Sequence, residues 1–230
     1  MTKTLIFTAT YNEINNIKKL INKIYKINKN LDILVIDDNS PDGTATAIKN
    51  LKLKYKNLKL IIRKSKLGLD TAHKKAFSYA KKKKYLNLIT MDADLSHDPR
   101  EIPKIINLLK NNSFVLGSRY ISGGRCEMPI SRLMLSIIGN KIIKLILGVN
   151  CSEFTTSYRG FNLAKLKKFN MNSIRSKGYS FFMECIYQIN KNYKIKEIPI
   201  FFRNRMHGKS KIPKIEIFRT LKNLFILKYF

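Results

Sequence analysis

Acidic side chains are scarce in this chain. Its 230 residues hold 15 Asp and Glu against 45 Lys and Arg, a formal net charge of +30. Such an excess attracts polyanions, whether nucleoside diphosphates, nucleic acid or an anionic bilayer, without choosing among them. Part of it is compositional, since Lys, Asn and Ile recur where nothing demands them. Cysteine is scarcer still. Cys126, Cys151 and Cys185 form no close pair and match no zinc spacing, which excludes a disulfide framework and points to a reducing, cytoplasmic setting. No run approaches the roughly 18–20 uncharged apolar residues of a membrane span. The amino-terminal Met1–Phe7 lacks the pattern of a secretory leader. Pro/Ser-rich linkers and internal repeats are also missing. The expectation is one domain over 1–230, in two halves of different pattern, 1–120 and 121–230.

Short apolar runs alternate with helix-like stretches through the first half. Leu5–Thr8, Ile33–Ile36, Leu58–Ile62, Leu86–Met91 and Phe114–Leu116 predict buried strands. Ile14–Tyr25, Thr44–Tyr55, Thr71–Lys82 and Pro103–Lys110 predict helices, the first through Ile14, Ile17, Leu20, Ile21 and Ile24. This alternation predicts an α/β fold with a mainly parallel sheet flanked by helices. The second half predicts a helix over Ser131–Gly148, a turn region over Asn150–Gly160, a helix over Tyr179–Lys191, a strand over Ile195–Phe202 and a basic amphipathic carboxyl-terminal helix.

Ligands of open α/β sheets bind beyond the carboxyl ends of the strands. Here those ends carry Thr10-Tyr11-Asn12-Glu13, Asp37-Asp38-Asn39-Ser40, Asp92-Ala93-Asp94 and Gly117-Ser118-Arg119. Hard carboxylate oxygens such as those of Asp92 and Asp94 suit Mg²⁺ or Mn²⁺ held together with a diphosphate. Asp42, in the turn Ser40-Pro41-Asp42-Gly43, is expected to be structural. Asp37 and Asp38 would repel each other, so a ribose or base edge is expected to satisfy one of them. Asn12 is expected to cap the first helix, and Tyr11 to stack on a base. Arg63, Lys64 and Lys66 read equally as phosphate ligands or a solvated loop. His73, His97 and His207 receive no catalytic role.

Read together, Tyr11-Asn12-Glu13, Asp37–Thr44, Lys66-Leu67-Gly68 and Asp92–His97 resemble family 2 glycosyltransferases, in the dolichol- or polyprenol-phosphate mannosyltransferase branch. Further matches run in order through Gly117–Tyr120, Gly123-Gly124, Arg132, Asn140, Thr155–Phe161, Gly178-Tyr179, Glu184, Ile198–Ile200, Arg205 and Gly208–Lys211. The resemblance implies a GT-A fold, of Rossmann-like type, and an inverting, metal-dependent transfer. A hexose would pass from GDP-mannose or a UDP-sugar to polyprenyl or dolichyl phosphate. A saccharide or other hydroxyl acceptor, in surface polysaccharide or glycoconjugate synthesis, is the alternative. It implies a nucleotide-sugar site at Ala9, Tyr11, Glu13, Ile36, Asp38, Asp92, Ala93, Asp94, Arg119, Arg205 and Lys211. Metal contacts fall to Asp92 and Asp94, acceptor-phosphate contacts to Arg119, Arg132 and Arg205, and catalysis to Asp92, Asp94, Arg119, Arg205 and Lys211. Departures from the family pattern stand at Ala9, Asp70, Ser96 and Glu153.

A lipid phosphate is already an anionic nucleophile, so positioning and charge neutralisation suffice. A hydroxyl acceptor needs a general base, for which only Asp94, Glu153 and Glu184 offer themselves. The amphipathic helices predict peripheral contact with the cytoplasmic membrane face. No nucleic-acid partner is expected, because the lysines are scattered while the carboxylates cluster at strand ends.

Overall fold

The computed structural model describes residues 3–204 and 215–229. Strands β1 (Thr4–Thr10), β2 (Asp32–Asp37), β3 (Leu58–Ile62) and β4 (Asn87–Thr90) alternate with helices α1 (Ile14–Ile27), α2 (Thr44–Lys54) and α3 (Leu69–Lys82). Helix α4 (Ile102–Leu109) and β5 (Phe114–Ser118) follow. Then come β6 (Arg125–Cys126), α5 (Ile130–Leu147), β7 (Arg159–Asn162), α6 (Ser180–Asn190), β8 (Ile195–Pro199), β9 (Phe201–Phe202) and α7 (Ile215–Tyr229).

The main sheet runs β3-β2-β1-β4-β7-β5-β8, and every pairing is parallel except the two made by β7. Strand alternation builds a core on each face. Leu5 and Phe7 point with Leu34 and Ile36 towards α3 and α6, whereas Ile6 points with Ile33 and Val35 towards α1, α2 and α4. The expected helical face of α1 is buried through Ile17, Leu20, Ile21 and Ile24. His73 sits inside an aromatic cluster of Phe7, Phe181 and Phe182, and burial pushes its pKa down to about 3. It is a core residue.

Two elements differ from expectation. The Ile195–Phe202 strand is split: β8 pairs with β5, while β9 pairs with β6 in a separate ribbon. Pro199, which has no N–H to extend a ladder, stands at the break. The Asn150–Gly160 turn region ends in an unforeseen antiparallel strand, β7, inserted between β4 and β5. Gly160 lets α4 lie directly over it, since a Cβ there would meet Ile105 Cγ2 at 2.6 Å. An antiparallel strand begins where its parallel neighbours end. The segment entering β7 is therefore delivered to the carboxyl-terminal edge of the sheet, where β4 and β5 release the chain.

Candidate functional site

Chain order reverses between β1, which leads outward to β2 and β3, and β4 on its other side. Such a switch point opens a crevice, and the first two polar clusters meet there. Asp37 is fully buried and accepts hydrogen bonds from the Thr10 hydroxyl (2.7 Å), Ser40 N–H (2.8 Å) and the Ser40 hydroxyl (2.6 Å). Its role is to hold the turn. Asp38 forms a buried ion pair with Arg63, and its Oδ2 accepts from Gly68 N–H at 3.2 Å. Arg63 also donates to the Gly68 carbonyl (2.8 Å). It is neither a free phosphate ligand nor part of a solvated loop, because a buried carboxylate draws it inward. Any nucleoside contact of Asp38 is made by a carboxylate that already has partners.

Asn12 does not cap α1. It adopts a left-handed φ of 59°, and the caps come from the loop after β2. Glu13 N–H donates to the Thr44 hydroxyl (3.0 Å) and Ile14 N–H to Asp42 Oδ2 (3.1 Å). Asp42 Oδ1 also accepts from Thr44 N–H at 3.0 Å, so it ties two helix starts together and is structural as expected. Glu13 accepts from Asn16 Nδ2 (2.8 Å), and Lys66 Nζ lies 4.3 Å from the centre of the Tyr11 ring. Ala9 and Ile36 are register partners behind them. Asp70 is buried beside Gly68 and accepts from Gly178 N–H at 3.2 Å.

β4 ends at Thr90, so a turn and not strand alternation displays the aspartates. Asp92 keeps its side chain 33% exposed and accepts from the Ser157 hydroxyl at 2.5 Å. Asp94 is buried, and its Oδ1 accepts from Ser96 N–H (3.1 Å) and the Ser96 hydroxyl (2.6 Å). Ala93 is packed in the core between them. Leu95 follows at φ 66°, a conformation costing a leucine about 1–2 kcal/mol. Burial of its side chain and a 3.0 Å bond from Arg203 N–H to the Ser96 carbonyl hold it there.

Beneath the turn lies His97, 1% exposed. Its Nδ1 accepts from Asp92 N–H at 3.1 Å, which leaves the ring proton on Nε2, 3.3 Å from the Thr156 hydroxyl. Burial pulls its pKa down against the opposing pull of Asp92 and Asp94, so it acts as a neutral prop.

Among the described residues, no three His, Cys, Asp or Glu side chains gather to hold a metal alone. Two aspartates are nonetheless the donor set Mg²⁺ or Mn²⁺ uses when a substrate diphosphate completes the coordination, so the turn fits such an ion.

On the other flank, Arg119 makes a bidentate pair with Glu153 (2.6 and 2.8 Å) and donates to the Thr155 hydroxyl (2.8 Å). Burial opposes the charge on Arg119, yet the Glu153 carboxylate outweighs it and raises the pKa. Burial likewise pushes Glu153 up, but Arg119 and Thr155 together hold its carboxyl below the usual range. Arg119, Tyr120, Cys126, Leu133, Lys141 and Lys144 line a cavity of about 460 Å³ beside α5. Arg132 lies exposed in the first turns of the same helix. Arg205 and Lys211 lie outside the described residues.

A family model described as Glycosyl transferase family 2 matches residues 5–169, from β1 past β7. The chain belongs to this family. This glycosyltransferase is 33% identical over 214 residues to a polyprenol monophosphomannose synthase of Mycolicibacterium smegmatis, spanning 91% of this chain and 81% of that one. It is 31% identical over 212 residues to an undecaprenyl-phosphate mannosyltransferase of Micrococcus luteus, spanning 91% and 87%. A solved structure of glucosyl-3-phosphoglycerate synthase from Mycobacterium tuberculosis, bound to Mn²⁺, UDP and glucosyl-3-phosphoglycerate, shares the GT-A-like fold. Its TM-score is 0.64 at 13% identity, over 98% of this chain and 78% of that one.

The glycosyltransferase's turn at Asp92–Asp94 thus sits at the sheet edge where the sequence placed it. Three partners of the expected site residues were not foreseen: His97 as a prop, Ser157 on Asp92, and Glu153 as the anchor of Arg119. Their bonds span 34 to 65 residues for the last two, so no local pattern announces them.

Proposed function

We propose that this glycosyltransferase moves a hexose, mannose first among the candidates, from a nucleoside diphosphate sugar to polyprenyl phosphate with inversion. The observation that carries this reading is the fate of Glu153 and Glu184, two of the three carboxylates that could serve a hydroxyl acceptor as a base, the third, Asp94, being assigned to the metal. Glu153 is held ionised by Arg119, and Glu184 accepts from Arg175 N–H (3.0 Å) and Ser176 N–H (2.7 Å). A phosphate nucleophile needs neither. The named activities of the two relatives support the same acceptor and the same sugar.

Tyr11, Glu13 and Asp38 bind the nucleoside, with Ala9 and Ile36 behind them. Asp92 and Asp94 hold Mg²⁺ or Mn²⁺, which supplies charge neutralisation for the departing diphosphate when bound. Arg119, Arg132, Arg205 and Lys211 serve the phosphates of donor and acceptor. Lys141 and Lys144 add exposed positive charge over the cavity, where a lipid phosphate is attracted and an oily chain meets Leu133.

Incubation with polyprenyl phosphate and labelled GDP-mannose or UDP-sugars tests the reading. Mannolipid formation dependent on Mg²⁺ or Mn²⁺ is expected. Transfer to an oligosaccharide with none to lipid would overturn it. The cognate nucleoside diphosphate with Mn²⁺ should also raise thermal stability, by about 2.7 kcal/mol at a hundred times its Kd.

The reading extends to the bilayer. No described helix is long and apolar enough to cross a membrane. Yet α5 exposes Ile130, Met134, Leu135, Ile138 and Leu145, and α7 exposes Phe225 and Ile226. With Arg132, Lys141 and Lys144 on the same α5, these residues suit an anionic lipid surface. Co-sedimentation with phosphatidylglycerol vesicles is expected, and it should weaken both in Leu135→Glu/Ile138→Glu and at high salt. Unchanged vesicle binding in that double variant would remove α5 from the interface.

A further inference from the structure

Asp92 enters the donor site with one oxygen already taken. The Ser157 hydroxyl donates to Oδ1 at 2.5 Å, and Ser157 is itself 3% exposed. Its carbonyl is fixed in turn by the Thr90 hydroxyl, at the end of the strand that leads into the aspartate turn. The backbone around it is stapled from below by Arg159, a fully buried guanidinium. Arg159 donates to the carbonyls of Thr156 (2.7 Å), Phe182 (3.0 Å) and Phe154 (3.1 Å), and lies 4.6 Å from the Phe182 ring centre. Ser96 treats Asp94 in the same way, with its hydroxyl 2.6 Å from Oδ1.

We infer that Ser157 is a positioning residue for the donor site, fixing the Asp92 carboxylate so that one oxygen is withdrawn and the other is presented to the metal and diphosphate. The inference rests on the reading of Asp92 as a carboxylate of that site. A carboxylate at the mouth of a turn rotates freely about its last bond unless something holds it. A short hydroxyl-to-carboxylate hydrogen bond, with one ionised partner, is strong enough to do so. It also removes the two-oxygen grip that Asp92 would otherwise offer a cation. The serine is not a surface hydroxyl drifting near an acid. Its backbone is locked by Thr90 on one side and by Arg159 on the other, so the bond is built in before any ligand arrives.

The same segment reaches the acceptor flank. Glu153 and Thr155 hold Arg119, four and two residues before Ser157. The two roles are nevertheless separable, because different side chains carry them. Loss of the Ser157 hydroxyl acts on Asp92 and leaves the Arg119–Glu153 pair in place. This predicts a split: metal binding suffers and the KM for lipid phosphate does not.

The test is Mn²⁺ binding followed by electron paramagnetic resonance in excess GDP or UDP, for wild type, Ser157→Ala and Ser157→Thr. Ser157→Ala should weaken Mn²⁺ binding about 10–100-fold, the usual effect of removing a partner that orients a metal ligand. Ser157→Thr keeps the hydroxyl and should recover most of the loss, while the KM for polyprenyl phosphate stays at the wild-type value in both. If Ser157→Ala fails to fold, Ser157→Cys, which fills the space with a weak donor, should show the same loss. Wild-type Mn²⁺ affinity in the variant without the hydroxyl, or no recovery by threonine, would overturn the role of Ser157. A wild-type protein that binds no Mn²⁺ would instead overturn the assignment of Asp92 itself, a result the same titration separates.

Discussion

Replacing Asp94 by Asn is expected to slow sugar transfer by on the order of a thousand-fold while leaving the fold in place. The substitution keeps the shape and the acceptor. An asparagine oxygen can take the same two hydrogen bonds that Ser96 gives Asp94, at 3.1 Å from its N–H and 2.6 Å from its hydroxyl. The charge is lost and the second oxygen becomes an NH2 group that ligates no metal, and the proposed chemistry depends on both, because the donor diphosphate departs with negative charge that must be met. Initial rates at saturating donor and Mn²⁺, together with a melting curve, separate the two effects. A variant that melts like wild type and still turns over at the wild-type rate would end the metal assignment at Asp94.

Glu153→Ala should cost about 3–5 kcal/mol of stability, since it strands the Arg119 guanidinium, whose side chain is only 8% exposed, without its counter-ion. The pH dependence has a definite sign. The folded carboxyl is held below its ordinary value of 4.5, so its contribution is complete above that value and is lost only as pH falls through the lower folded one. Between about pH 6 and 9 the stability gap between wild type and variant should therefore be flat, and the rate should show no titration of this group. A general base at Glu153 predicts the reverse, a rate that falls on an acidic limb with little loss of stability. Urea unfolding at several pH values, paired with the pH–rate profile of the isosteric Glu153→Gln, decides between them.

The parallel half was legible because each of its strands and helices carries its own signal. Ile17, Leu20, Ile21 and Ile24 repeat at helical spacing and all are buried. The run into Met91 is apolar because Leu88 and Ile89 face opposite cores. Strand β7 carries no such signal. Its Arg159-Gly160-Phe161-Asn162 is neither apolar nor alternating, and it is a strand because β4 and β5 leave a slot for it. Asn12 misled for a related reason. A polar residue before a helix is a good local capping signal, but Asp42 and Thr44 arrive from another loop and take the N–H groups first. The adjacent carboxylates of Asp37 and Asp38 looked like an unmet demand for a ligand. Thr10, Ser40 and Arg63 meet much of it from within the chain.

The insertion of β7 also bears on how the enzyme can be taken apart. Strands β7 and β8, both from beyond residue 120, share one sheet with the strands that frame the crevice at Asp37 and Asp38. The hydroxyl that steadies Asp92 comes from the far half as well. A fragment ending after β5 would keep both aspartates, yet it would leave one edge of β4 unpaired and Asp92 without its serine. On the proposed assignment of the site, donor recognition is therefore not a portable cassette: exchanging residues 121–230 for another such segment would also retune the grip on the sugar nucleotide.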